Sequence, residues 1–173
     1  PYMDYHADRF VDASFVVLNK GRAIGIIPGN DGRNDDQKIW RSHGGLTFGG
    51  LMVKPKFNRI KIIEEAYGLL FDVLRDQGYD RAQIKPVPWI YQQVPTEGQI
   101  YFLNRLGKAE CAVEISTTVD LHNTPKASSS REWMDRKAKS AGFYVEESDD
   151  FEGFWAVLSG RLEDKYDRRP VHS

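Results

Sequence analysis

Residues 42–51 read SHGGLTFGGL and run on into MVKPKF, and the reading of those glycines decides the fold. Four glycines in ten residues raise the backbone entropy lost on folding, which a plain strand would not do. A phosphate-binding P-loop has a lysine and then Ser or Thr after its last glycine, and neither stands here. A dinucleotide fingerprint opens a helix at its last glycine, whereas Leu51, Met52 and Val53 favour a strand. What survives is a strand over residues 46–53, interrupted at Gly49 and Gly50. Two readings of the interruption stay open: a packing bulge, or main chain left clear for a bound molecule, with Thr47, Phe48, Gly49 and Gly50 as substrate-binding candidates. Gly44 and Gly45, behind His43, belong to the turn before that strand.

Upstream, SFVVL and AIGIIP flank a turn-forming NKGR, which predicts a hairpin. The polar stretch GNDGRNDDQ, residues 29–37, reads as a loop. Downstream, Ile60, Ile63, Tyr67, Leu70, Phe71 and Leu74 recur at helical spacing and Gly78 supplies a stop, so a long helix covers one face of a sheet. AQIKPVPWIY is strand-like, but Pro86 and Pro88 donate no hydrogen bond, so this strand is an edge or splays away. Thr96 and Gln99 have capping-box spacing and open a short helix closed by Gly107. ECAVEISTTVDL, residues 110–121, reads as a long strand. Ser129 and Glu132 form a second capping box for a helix ending at Gly142, before a short strand FYVEE. Asp149 or Asp150 caps a last helix with Phe151, Phe154, Trp155, Leu158 and Leu162 on one face.

With 173 residues the chain suits one domain, and 24 basic against 25 acidic residues, a net charge of −1, remove the global electrostatic reason to propose DNA as a partner. The lone Cys111 excludes an internal disulfide framework, is expected to be buried, and fits the cytoplasm. No apolar run approaches the roughly 18 residues of a transmembrane segment. Scattered histidines, His6, His122 and His172, do not suggest a metal site.

The order over residues 46–120 resembles the GNAT acyltransferase fold: interrupted strand, pyrophosphate loop, long helix, splayed strand, short helix, strand. YMDYHADRF, SHGGLTFGGL, WIYQQVP, SREWMDRKAKSAG, FEGFWAVL and RPVH are similar to the FemAB-like branch, particularly to GNAT-like proteins encoded among bacterial capsule and surface-polysaccharide genes. The resemblance spans nearly the whole chain. It implies an α/β (α+β) GNAT-like domain over residues 1–173, with a mixed, mostly antiparallel twisted sheet and helices on both faces. Residues 121–173 would be a helix-strand-helix extension leading toward a second GNAT-like half of a longer protein. The implied reaction transfers an acyl or aminoacyl group, from acetyl-coenzyme A or aminoacyl-tRNA, to an amine on a small-molecule, glycan or peptide precursor of the cell envelope. Two alternatives are an autonomous acetyl-coenzyme A-dependent N-acetyltransferase and a non-catalytic binding module. Apolar surface left by a missing half would suit a homodimer.

Several residues then become candidates. Where the resemblance places the coenzyme A loop, KPKFNRIK has no glycine, which argues against autonomous coenzyme A binding, although Lys54, Lys56, Arg59 and Lys61 offer charge for an anionic cofactor. A solvated basic loop is the competing reading. The family's general-acid tyrosine falls four residues before the closing glycine, at Leu103 here; Tyr101 is offset by two residues, about 200° around the helix. His43 is either a turn residue hydrogen-bonded to main chain or a general base toward an amine. Trp89 and Tyr91 are either stacking platforms for a substrate or rim packing. Arg131, Arg136 and Lys137 are either phosphate contacts for an envelope precursor or a solvated helix face.

Overall fold

A computed structural model describes residues 2–34, 36–42, 44–107 and 109–170. The chain folds as a mixed α/β protein with mostly antiparallel strands, as expected, and divides into two compact units, residues 1–112 and 113–173.

In the first unit a helical turn, α1 (Tyr2–Tyr5), precedes β1 (Val11–Asp12), β2 (Phe15–Asn19) and β3 (Arg22–Ile27). β2 and β3 form the expected hairpin, pairing Asn19 with Arg22 across Lys20 and Gly21. Both turn residues have positive φ, 48° and 74°, the left-handed pair that matches the twist of a tight hairpin. A second hairpin, β4 (Asn30–Asn34) and β5 (Gln37–Arg41), occupies the stretch expected to be a loop. The correction has a physical reason: β4 is polar, but it pairs on both sides, with β1 and β5, so the ladders override weak strand propensity. β5 also contributes buried Ile39 and Trp40, and the Trp40 Nε1–H donates to the Ala13 carbonyl at 2.8 Å.

β6 (Met52–Val53) pairs antiparallel with β3, and β7 (Arg81–Gln83) pairs parallel with β5. The strands therefore lie in two sheets, ordered β1-β4-β5-β7 and β2-β3-β6. Between β6 and β7 runs α2 (Ile60–Asp76), whose Ile63, Tyr67, Leu70 and Leu74 are buried as the spacing predicts, while Ile60 stays exposed. Gly78, at φ 75°, ends it. With Ile27, Trp40, Leu51 and Phe102 these side chains make the core. Phe102 comes from α3 (Gly98–Gly107), the expected short helix.

The second unit contains α4 (Ser129–Ser140) and α5 (Phe151–Tyr166). The strands expected at residues 110–121 and 143–147 do not form among the described residues. A strand needs a paired neighbour to satisfy its main chain, and here apolar Val113, Ile115, Leu121, Phe143 and Val145 are exposed. α4 starts one residue earlier than its expected box, with Ser128 at the cap and no side-chain cap bond. Asp150 caps α5, its Oδ1 accepting from the Gly153 N–H at 2.8 Å. Among the described residues no helix is long and apolar enough to cross a membrane.

Candidate functional site

The strand expected over residues 46–53 is reduced to β6 at Met52–Val53 and a single bridge at Gly49, because the residues between turn and bend as the chain passes from one sheet to the other. After Arg41 closes β5, the Ser42 N–H donates to the Gln83 carbonyl at 3.0 Å, and the Ser42 Oγ accepts from the Lys85 N–H at 3.1 Å. The Gly49 N–H then donates to the Lys85 carbonyl at 2.8 Å, and Gly49 makes a single parallel bridge with Pro86. Beyond it the strands part: Met52 and Val53 join β3, while Pro86 and Pro88, without N–H groups, leave the ladder. The result is a fork with its vertex at Gly49.

Both glycines at the vertex have steric reasons. A Cβ on Gly49 would overlap the Ser42 carbonyl oxygen, so main chain packs on main chain there. Gly50 sits at φ 89°, a conformation that L side chains rarely adopt.

Two side chains, Gln99 and Tyr67, meet the Leu51 main chain at the fork. The Gln99 carboxamide, from the first turn of α3, pairs with both main-chain groups of buried Leu51. Its Oε1 accepts from the Leu51 N–H at 3.0 Å, and its Nε2 donates to the Leu51 carbonyl at 2.9 Å. The Tyr67 hydroxyl, fully buried on α2, donates to the same Oε1 at 2.6 Å and lies 3.2 Å from the Leu51 nitrogen. Burial pushes the Tyr67 pKa up to about 12, so its hydroxyl is a neutral donor at ordinary pH.

Outside this point the fork has an aromatic and cationic rim. The rings of Phe48 and Tyr91 lie 6.0 Å apart at 32°, and the Lys85 Nζ is 5.9 Å from the Phe48 centroid. Trp89 and Tyr91 belong to a short 3₁₀ turn and are about half exposed, and Thr47 is exposed. The Gln92 carboxamide steadies that turn, donating to the Val87 carbonyl at 2.8 Å and accepting from the Thr96 N–H at 3.0 Å.

The structure thus brings Phe48, Gly49, Gly50 and Tyr91 to one place. Trp89 shares the 3₁₀ turn of Tyr91, and Tyr101 and the basic candidates of the first unit make contacts elsewhere. Exposed Tyr101 follows Gln99 by two residues, so it points to the far side of α3, where its hydroxyl meets the Arg105 guanidinium at 3.3 Å. The Lys54 ammonium donates to the Ala23 carbonyl at 2.9 Å, Lys56 stands 5.1 Å from the Phe57 ring centroid, and Lys61 faces Glu65 at 4.0 Å. Arg59 is the N-cap residue of α2 and makes no side-chain cap bond. Arg131, Arg136 and Lys137 sit on α4 in the second unit, with Lys137 5.1 Å from the Trp133 ring centroid. His43 lies outside the described residues. Cys111, expected to be buried, is exposed, because the strand that would have buried it does not form.

Sequence reasoning missed Gln99 as a fork residue because its capping-box spacing with Thr96 offered a local explanation. Thr96 Oγ1 does accept from the Gly98 N–H at 3.2 Å, but Gln99 does not complete the box. The usable signal was its place on the stripe shared with Phe102, Leu103 and Leu106, where a polar side chain calls for a partner.

Comparison with protein-family models, with curated proteins and with solved structures finds no match in any of the three.

Proposed function

We propose that this chain is an acyltransferase-type domain of the GNAT and FemAB-like kind that its sequence resembles. Its reaction is transfer of an acyl or aminoacyl group to an amine of a cell-envelope or surface-polysaccharide precursor, in the cytoplasm, and its part is to hold the acceptor. The observation that carries this reading is the fork at Gly49. Two strands diverge there after one bridge, and the opening is rimmed by the Phe48 and Tyr91 rings beside Lys85. Aromatic faces suit the apolar side of a sugar or a base, and an adjacent ammonium suits a phosphate or carboxylate. Acyl transfer requires chiefly that an acceptor amine be held in line with the donor carbonyl, which groups fixed where two segments diverge would supply.

A second reading, a binding module without chemistry, is favoured by the glycine-free KPKFNRIK stretch, where Lys54 and Lys61 face groups of their own chain. Calorimetric titration with a uridine-diphosphate amino sugar, the same nucleotide carrying a peptide, and acetyl-coenzyme A tests the proposal. Saturable binding of an acceptor without binding of acetyl-coenzyme A is expected. Absence of heat from both acceptors overturns it, and tight binding of acetyl-coenzyme A returns the autonomous acetyltransferase.

A further inference from the structure

We infer that the free edge of β2 is the contact by which two copies of this chain pair, strand to strand, about a two-fold axis through Val17. The inference does not depend on the fork.

β2 is the outer strand of the sheet ordered β2-β3-β6, so one side of its main chain has no strand beside it. Alternation decides which groups stand on that side. The Ala13 N–H donates to the Gly29 carbonyl at 2.9 Å, and the ladder continues through Phe15 with Ile27 and Val17 with Gly25, so odd-numbered residues turn their main chain toward β3. The even-numbered residues turn theirs outward. At Ser14 the N–H is already held by the Asp12 Oδ1 at 2.9 Å. At Val16 and Leu18 no hydrogen bond among the described residues takes the outward groups. Natural sheets protect such an edge with proline, charge or a bulge. FVVL has no proline and no charge, and the irregularity beside Val17 comes from an extra residue, Ile24, on the inner strand.

The open face of the same sheet is apolar. Val16 pairs with Ile26 and Ile26 with Met52, which puts Val16, Leu18, Ile26 and Met52 on one face, and they are 41–61% exposed. The opposite face, with Phe15, Val17, Ile27 and Val53, packs in the core. An antiparallel sheet with one face in water carries polar residues there as a rule.

A second copy fits these groups. When β2 meets the β2 of another copy antiparallel, with Val17 on the axis, Val16 of each faces Leu18 of the other, and each such pair exchanges both of its N–H···O bonds. An axis through Val16 sets Leu18 against Ser14, whose N–H is held by Asp12, and an axis through Leu18 sets Val16 against Lys20, which lies in the turn at φ 48°. Charge selects the same arrangement. Exposed Asp12 precedes the strand, and exposed Lys20 and Arg22 follow it, so an antiparallel copy brings the acid of each toward the bases of the other. The two apolar faces then join into one band across the axis. An edge of this length makes a small interface, which places the association in the micromolar range.

The test is sedimentation velocity of the 173-residue chain between about 5 and 500 µM, with a reductant present because Cys111 is exposed, together with amide exchange at both ends of that range. A reversible dimer is expected, with exchange at Val16 and Leu18 slowed several-fold at the higher concentration and exchange at Val17, bonded to β3, unchanged. Leu18→Lys places a charge on the edge, and Val16→Pro removes an N–H that β3 does not use; each is expected to weaken the dimer at least about tenfold. Leu18 is exposed, so its variant keeps the proposal testable if Val16→Pro fails to fold. A chain that stays monomeric throughout overturns the proposal, as does a dimer in which exchange at Val16 and Leu18 is not slowed. A dimer that Leu18→Lys leaves at native strength overturns it too, since the contact would then lie elsewhere.

Discussion

At the scale of single residues the fork depends on Gly49, Gly50, Tyr67 and Gln99. Gly49→Ala drives a methyl group into the Ser42 carbonyl oxygen, and with main chain on both sides nothing can rotate away. We expect a loss of about 3 kcal/mol or more in chemical denaturation. Gly68→Ala is the contrast: a Cβ there meets nothing within 4 Å inside α2, and helix propensity predicts a gain of about 0.5 to 1 kcal/mol. Tyr67 makes stability depend on alkaline pH. Its folded pKa is raised to about 12 from 10.0, so above pH 10 the unfolded chain loses this proton first and binds fewer protons than the native one. Stability is therefore full below pH 10 and falls as pH rises toward 12, by roughly 2 to 3 kcal/mol from this group. Denaturation midpoints of the native chain and Tyr67→Phe, compared at pH 8 and 11.5, should converge as pH rises. Parallel midpoints would show that the hydroxyl is not buried in this way. Of these residues, Gly49 and Gly50 were legible in the sequence as an interruption. Tyr67 was legible only as a core residue, because periodicity reports which face is buried and not where a hydroxyl finds its partner.

At the scale of elements, helices were read better than strands. The run of buried side chains in α2 and the stops at Gly78 and Gly142 follow from local spacing, which a helix satisfies within itself. The hairpin of β4 and β5 was hidden because Asn30, Asp31, Gly32, Arg33 and Asn34 carry no apolar alternation, and the ladder is set by partners remote in sequence. Residues 110–121 fail in the opposite sense: they alternate well, yet no ladder forms among the described residues. Propensity proposes a strand and a neighbour decides it. The cap of α5 shows the local case again, with Asp150 accepting from Gly153. Asp150→Ala should destabilise this helix by about 1 kcal/mol, seen as faster amide exchange over residues 151–154, with exchange in α2 unchanged.

At the scale of the molecule, the residues named at the candidate site all lie within the first unit of the sequence. Gly49 and Pro86 meet there beyond the parallel pairing of β5 with β7, a place the sequence marked through two glycines on one segment and two prolines on the other. The basic helix α4 lies in the second unit, where apolar Val113, Ile115, Phe143 and Val145 are exposed. The proposed GNAT-like and FemAB-like reading rests on the order of motifs in the sequence. The most direct test is the calorimetric titration with the uridine-diphosphate amino sugar carrying a peptide, repeated on Phe48→Ala. Loss of the ring beside Tyr91 and Lys85 should weaken acceptor binding at least about tenfold, and an affinity equal to that of the native chain would contradict a binding site at the fork.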